Sequence, residues 1–198
     1  MLDKELITGF SVFDLSLIFD ALSFSANKHK TQRRKDKIGT PYINHPIGVA
    51  RNIAFLVGLP PEIRIIAILV AILHDVIEDT NTTYEELVAR FGKEVADGVL
   101  GVTNKKDLEK NESKKYEIER AKTLTLVEAL VRVSDKMNNV GDIDKDKPAS
   151  WTHERRVAYC HFAKDLVNNI QYNDLTYVLQ LKYNFFQKYF EALDRLGQ

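Results

Sequence analysis

Cysteine is nearly absent from this chain of 198 residues, which carries one, Cys160. An internal disulfide and a thiolate-rich zinc cluster are therefore excluded. Cys160 sits in an amphipathic stretch and reads as a core thiol rather than a nucleophile. Net charge is also lacking, since 28 basic and 28 acidic side chains cancel. No overall field draws the chain to a nucleic-acid polymer or an anionic membrane. A long apolar run is missing as well: the longest, Ile65 to Leu73, is about half of the roughly 20 residues a bilayer span needs. The start, Met1-Leu2-Asp3-Lys4-Glu5, has neither the basic head nor the apolar stretch of a signal peptide. Two-residue alternation, internal repeats and low-complexity tracts are absent too. With 44% apolar and 28% charged residues, both ordinary values, the expectation is a soluble cytoplasmic protein. Residues 1–198 are expected to form a single all-α domain.

The pattern predicts a succession of helices. Leu15, Ile18, Phe19, Leu22 and Ala26 form a helical stripe in a segment from Phe13 to Lys30, which runs into the basic segment 28–35 and a turn at Gly39-Thr40-Pro41. A second helix is expected from Ile47 to Val57, closed by Gly58. Pro60-Pro61-Glu62 should open a third, running from Glu62 to Asp79. It is apolar nearly all round until His74, and so is expected to be the central buried helix. A capping pattern at Thr82 to Glu86 starts a short fourth helix ending at Phe91-Gly92, and a fifth spans Lys93 to Val102. Lys105 to Lys122, dense in both signs of charge, reads as an exposed loop or solvated helix. Further helices are expected over Thr125 to Val140, Thr152 to Tyr172 and Asp174 to Leu196.

Chemistry concentrates in Leu73-His74-Asp75-Val76-Ile77-Glu78-Asp79-Thr80, where one imidazole and three carboxylates follow a very apolar run. Residues three and four apart share a helical face, so these groups crowd one patch. Like charges that close repel unless a cation or shared protons compensate, which points to a bound metal. Adjacent residues on a helix point about 100° apart, so His74 and Asp75 can grip one ion only where the helix opens slightly. His45, braced by Pro46, and Asp135, a carboxylate interrupting the apolar run before it, are the candidates to complete the set. Two imidazoles and two carboxylates leave Mn²⁺, Fe²⁺, Zn²⁺ or Co²⁺, with Mn²⁺ favoured for octahedral geometry. Glu78 and Asp79 would then orient the attacking water or take its proton, and spacing alone does not divide those roles. The basic run with Arg33, Arg34 and Lys35 reads either as a solvated helix end or as a phosphate clamp, guanidinium forks matching phosphate oxygens. Hydrolysis of a phosphate ester or phosphoanhydride is the chemistry that fits.

Four segments carry a more specific resemblance: Gln32-Arg33-Arg34-Lys35, Gly39-Thr40-Pro41-Tyr42-Ile43-Asn44-His45-Pro46, the His74-Asp75 to Glu78-Asp79 segment, and Ser134-Asp135-Lys136-Met137-Asn138-Asn139. They resemble the hydrolase domain of the RelA/SpoT family, a branch of the HD-domain phosphohydrolases distinguished by the Glu-Asp doublet. The resemblance runs from about residue 29 to residue 159. It implies a stand-alone alarmone hydrolase of the stringent response, similar to the metazoan SpoT homologues. Such an enzyme is Mn²⁺-dependent and removes pyrophosphate from the 3′ position of ppGpp or pppGpp, giving GDP or GTP. It implies His45, His74, Asp75 and Asp135 as metal ligands and Glu78 and Asp79 as catalytic carboxylates. Arg34 and Lys35 match the basic pair at the nucleotide site and Asn139 a position lining the guanosine pocket. Lys105, Lys106 and Tyr159 are further phosphate or ribose contacts. The chain departs from the common pattern at Met137-Asn138, where Leu and an aromatic or His are more usual, which bears on the nucleoside pocket. Two alternatives stand beside this reading: an NADPH phosphatase of the same fold, and a catalytically silent nucleotide-binding sensor. Oligomeric state is left open.

Overall fold

The computed structural model describes residues 10–105, 108–145, 150–172 and 175–198. Among them every regular element is a helix, apart from an isolated bridge between Arg33 and Pro41. Helix α1 (Val12–Lys28) opens on a reciprocal cap, Ser11 Oγ accepting the Asp14 N–H while Asp14 accepts the Ser11 N–H at 2.8 Å. Helix α2 (Asn44–Ala54) begins three residues before the expected Ile47. Its Pro46 lies in the first turn, where a missing N–H leaves no helical bond unmade. His45 therefore stands on the helix rather than in the turn before it.

Helix α3 (Pro61–Leu73) is the centre of the molecule. From Ala67 to Leu73 no residue is more than 4% exposed. Helices α1, α2, α6 (Lys93–Val102) and α8 (Leu126–Lys145) pack around it. Each fully buried Ile or Leu on this helix contributes about 1.5–3 kcal/mol. The expectation of one helix to Asp79 needs correction. His74 and Asp75 form a turn, and Val76–Asp79 is a separate single turn, α4. Asp75 leaves ideal helical geometry at φ −101°, ψ −3°, and the chain resumes with the Asp79 N–H donating to the Asp75 carbonyl at 2.8 Å. The turn lets two neighbouring side chains converge that a continuous helix would hold apart.

Helix α5 (Tyr84–Phe91) is capped by Thr83, whose hydroxyl accepts the Glu86 N–H, and Gly92 at φ 86° turns the chain into α6. The charge-dense segment folds as α7 (Lys110–Arg120), followed by a 3₁₀ turn at Ala121–Thr123. It is not solvated all round: Ile118 packs on the core, and Glu117 meets Arg132 and Lys136 of α8 at 3.8 and 3.5 Å. Helix α9 (His153–Asn169) ends before the expected Tyr172, because Ile170 is extended and Tyr172 takes a φ of 68°. Helix α10 (Thr176–Arg195) lies against α8 and α9, and Lys182 Nζ donates to the Ile170 carbonyl at 2.6 Å. Its expected start at Asp174 lies outside the described residues. Cys160 on α9 is fully buried, and burial pushes its thiol up to about 11, which suits a core residue and not a nucleophile. No helix among the described residues is long and apolar enough to cross a membrane.

The closeness of α3 and α6 rests on Gly98, where a Cβ would lie 2.7 Å from Val70 Cγ2. Gly98→Ala is therefore expected to lower stability by about 1–3 kcal/mol, despite the better helix propensity of alanine. Urea denaturation followed by circular dichroism measures this, and an unchanged or raised midpoint would contradict such tight packing.

Candidate metal centre and its cleft

Three elements bring four donors together. His45 comes from the first turn of α2, His74 and Asp75 from the turn between α3 and α4, and Asp135 from the middle of α8. His74 Nε2 lies 2.9 Å from Asp75 Oδ2 and 4.0 Å from Asp135 Oδ1. His45 Nε2 lies 3.1 Å from Asp135 Oδ1 and 3.8 Å from Asp75 Oδ2. Donors about 2.1 Å from a common ion stand roughly 3.0 Å apart at right angles and 3.4 Å apart in a tetrahedron. The observed separations bracket both values. His45, His74 and Asp135 satisfy on their own the geometry of a group able to hold a metal ion, and all three are buried.

The hydrogen bonding suits such an ion. His74 Nδ1 lies 2.8 Å from the Ala71 carbonyl, which fixes the proton on that nitrogen. Its Nε2 is buried without a hydrogen-bond partner and faces the two carboxylates. Burial would lower the His74 imidazole, yet Asp75 and Asp135 outweigh it and push the ring up to about 9. The cluster thus demands positive charge. Burial lowers His45 despite Asp135, so this ring stays neutral, as a ligand requires. Burial would raise the two carboxyls, but His74 and His45 beside Asp75, and Lys136 and His45 beside Asp135, hold both low.

Each donor is held from behind. The Tyr42 hydroxyl donates to Asp75 Oδ2 at 2.5 Å. Asp135 accepts from Lys136 at 3.1 Å and from Asn139 Nδ2 at 2.6 Å. The Asn138 carboxamide meets His45 Nδ1 at 3.1 Å. Glu78 and Asp79 are anchored by separate arms. Glu78, half-buried, accepts the Asn104 N–H at 3.0 Å, and burial together with Asp75 raises its carboxyl. Asn104 in turn accepts from Arg132 at 2.7 Å. Asp79 is exposed and accepts from Gln32 Nε2 at 2.7 Å, whose Oε1 meets His29 Nδ1 at 2.6 Å.

Beside the donors opens a cleft of about 590 Å³, lined by Arg34, Lys35, His45, Asp79, Asn139 and Tyr159 among others. One wall is therefore cationic and another aromatic, with Trp151 5.5 Å from Tyr159. Arg34 donates to Asn139 Oδ1 and to Asp142 Oδ2, both at 2.9 Å. Lys105 is exposed over the Tyr116 ring at 4.5 Å and does not line the cleft. Lys106 lies outside the described residues.

Sequence reasoning missed Tyr42, Gln32, Asn104, Arg132, Asn138 and Asp142. Arg132 carried a usable signal, since it interrupts the same apolar run as Asp135, one turn earlier. Gln32, Tyr42 and Asn138 lie inside the segments that carry the family resemblance, without a role of their own, while Asn104 and Asp142 carried no signal because such residues are ordinary anywhere on a surface.

Comparison with known proteins adds an independent line. The HD-domain family profile matches residues 21–166. The guanosine-3′,5′-bis(diphosphate) 3′-pyrophosphohydrolase MESH1 of Xenopus tropicalis is 40% identical over 158 residues, 80% of this chain and 87% of that protein. Its Homo sapiens counterpart is 38% identical over 171 residues, 86% of this chain and 94% of that one. A solved structure of a metazoan orthologue of SpoT, which hydrolyses ppGpp and plays a role in starvation responses, matches with a TM-score of 0.77. The two are 35% identical, with 87% of this chain and 95% of the other covered.

Metal-stripped protein is expected to take up one divalent transition-metal ion per chain, measured by elemental analysis after gel filtration. His74→Ala and Asp135→Ala should each weaken that uptake by more than about 100-fold, beyond the loss expected for an outer partner. Undiminished uptake by either variant would exclude that residue as a ligand.

Proposed function

The chain belongs to the HD-domain family, in the branch of the metazoan SpoT-like enzymes, and we propose from this and its site how it works as a guanosine-3′,5′-bis(diphosphate) 3′-pyrophosphohydrolase. It hydrolyses (p)ppGpp to GDP or GTP and pyrophosphate. The observation that most supports this reading is the four-donor cluster opening on a cleft with a cationic wall. Residues 1–198 are read as one HD-type domain, acting in the cytoplasm on a free nucleotide.

His45, His74, Asp75 and Asp135 would hold the cation, and their mixed nitrogen and oxygen donors favour Mn²⁺. When bound, a divalent ion supplies Lewis acidity and lowers the pKa of water from about 15.7 towards 7. The remaining work falls to side chains of this chain. Glu78, half-buried with a raised carboxyl, is suited to take the proton of the attacking water. Asp79, exposed in the cleft and tied to Gln32, is suited to orient that water. The water oxygen forms a bond to the phosphorus attached to the ribose 3′ oxygen as the P–O3′ bond breaks. Pyrophosphate leaves, and the 3′ oxygen acquires a proton. Arg34 and Lys35 neutralise phosphate charge, and Asn139 and Tyr159 border the space for the nucleoside. Arg34 is already paired with Asp142, so an incoming phosphate replaces one anion by another at that guanidinium.

The test incubates metal-stripped protein with ppGpp or NADPH, with and without Mn²⁺, and resolves the products by ion exchange. GDP plus pyrophosphate from ppGpp, only with metal, is expected. Orthophosphate from NADPH alone would move the activity to cofactor dephosphorylation, and ppGpp bound but intact in saturating Mn²⁺ would indicate a silent sensor. In the same assay Glu78→Gln should keep its metal while kcat falls about 10²–10⁴-fold. Full turnover in that variant would remove Glu78 from the proton transfer.

A further inference from the structure

We propose that Asn138 is a positioning residue for the metal site: its carboxamide orients His45 and, with Oδ1 turned toward the ring, accepts from Nδ1 and leaves His45 Nε2 for the cation. The inference rests on the metal reading above and adds to it a residue of this chain's own.

A neutral imidazole carries one proton. A ring that ligates through Nε2 must carry it on Nδ1 and needs an acceptor there. His74 meets this need with the Ala71 carbonyl. At His45 Nδ1 the group in place is the side chain of Asn138, with Nδ2 3.1 Å away. A carboxamide has an oxygen and a nitrogen of nearly the same shape and can serve either tautomer. With Nδ2 toward the ring, Nδ1 accepts and the proton sits on Nε2, directed at Asp135 3.1 Å away. With Oδ1 toward the ring, Nδ1–H donates to the amide and the Nε2 lone pair faces Asp75 and Asp135. Half a turn of the amide therefore hands His45 from a carboxylate to a cation, without moving either helix.

The position is prepared by a second residue. Gly48 lies one turn after His45 on α2, where a Cβ would stand 2.8 Å from Asn138 Oδ1 and 2.9 Å from Nδ2. Its lack of a side chain is what lets the carboxamide of α8 reach the ring. Asn139, the next residue, braces Asp135 at 2.6 Å. Adjacent residues on α8 thus hold two donors that arrive on different helices.

The experiment titrates metal-stripped protein with Mn²⁺ against a chromophoric chelator at one pH. It compares the unaltered chain with Asn138→Leu, Asn138→Asp and Gly48→Ala. Asn138→Leu keeps the branched shape but offers no acceptor, and is expected to weaken Mn²⁺ binding about 10–100-fold. Asn138→Asp keeps the acceptor and should bind at least as tightly as the unaltered chain. Gly48→Ala displaces the amide and should shift affinity in the direction of Asn138→Leu. Ring-nitrogen NMR of the Zn²⁺-loaded protein supplies a readout that packing alone would not move: His45 Nδ1 protonated and protected from exchange in the unaltered chain, and rapidly exchanging in Asn138→Leu. Equal Mn²⁺ affinity in Asn138→Leu and the unaltered chain would overturn the proposal, as would failure of Asn138→Asp to restore binding. If the unaltered chain itself binds no Mn²⁺, the metal reading falls first, a result distinct from either.

Discussion

Asp75 and Asp135 place two carboxylates at the end of the buried apolar stretch from Ala67 to Leu73, and the surrounding structure is arranged around that fact. An ion buried without compensation costs several kcal/mol, and two like charges in one pocket cost more. Here the compensation is assembled from three directions: imidazoles from α2 and from the end of α3, an ammonium from Lys136, and a phenol from Tyr42. The balance still calls for positive charge, which is why the His74 ring is held protonated to about 9. A divalent cation held by His45, His74, Asp75 and Asp135 would answer both carboxylates at once. At this end of the core α2, α8 and the turn after α3 meet through charged as well as apolar side chains.

The same arrangement separates two carboxylates that are adjacent in the chain. Glu78 points toward the Asn104 and Arg132 side and is half-buried, while Asp79 faces the cleft and Gln32. Burial raises Glu78 toward the range where a base can both accept and return a proton. Asp79, in contact with solvent, remains better fitted to orientation. Spacing left that division open; the differing environments of neighbouring residues support the assignment proposed above. In the cleft, Asp142 and Asn139 hold the Arg34 guanidinium in place, and Asn139 in turn braces Asp135.

Much of this was legible in the sequence. The helices around the core followed from periodicity, and His74, Asp75 and Asp135 stood out as polar groups in apolar runs. Periodicity is silent on where a helix opens, so the turn at His74-Asp75 was not visible in the pattern, although adjacent ligands needed one. The start of α2 was misjudged because Pro46 reads equally as a turn residue and as a first-turn residue. Glu117 was hidden in a segment whose average composition is that of a solvated surface, while on its inward side it meets Arg132 and Lys136. Asn138, Asn104 and Gln32 are ordinary polar residues whose meaning comes only from what tertiary packing sets beside them.

The most direct test is a crystal of the Mn²⁺-soaked protein with diffraction collected on both sides of the manganese absorption edge. The account predicts one anomalous peak within about 2.3 Å of His45 Nε2, His74 Nε2, Asp75 Oδ2 and Asp135 Oδ1. A peak centred on Glu78 and Asp79 instead, with the two imidazoles unliganded, would contradict it.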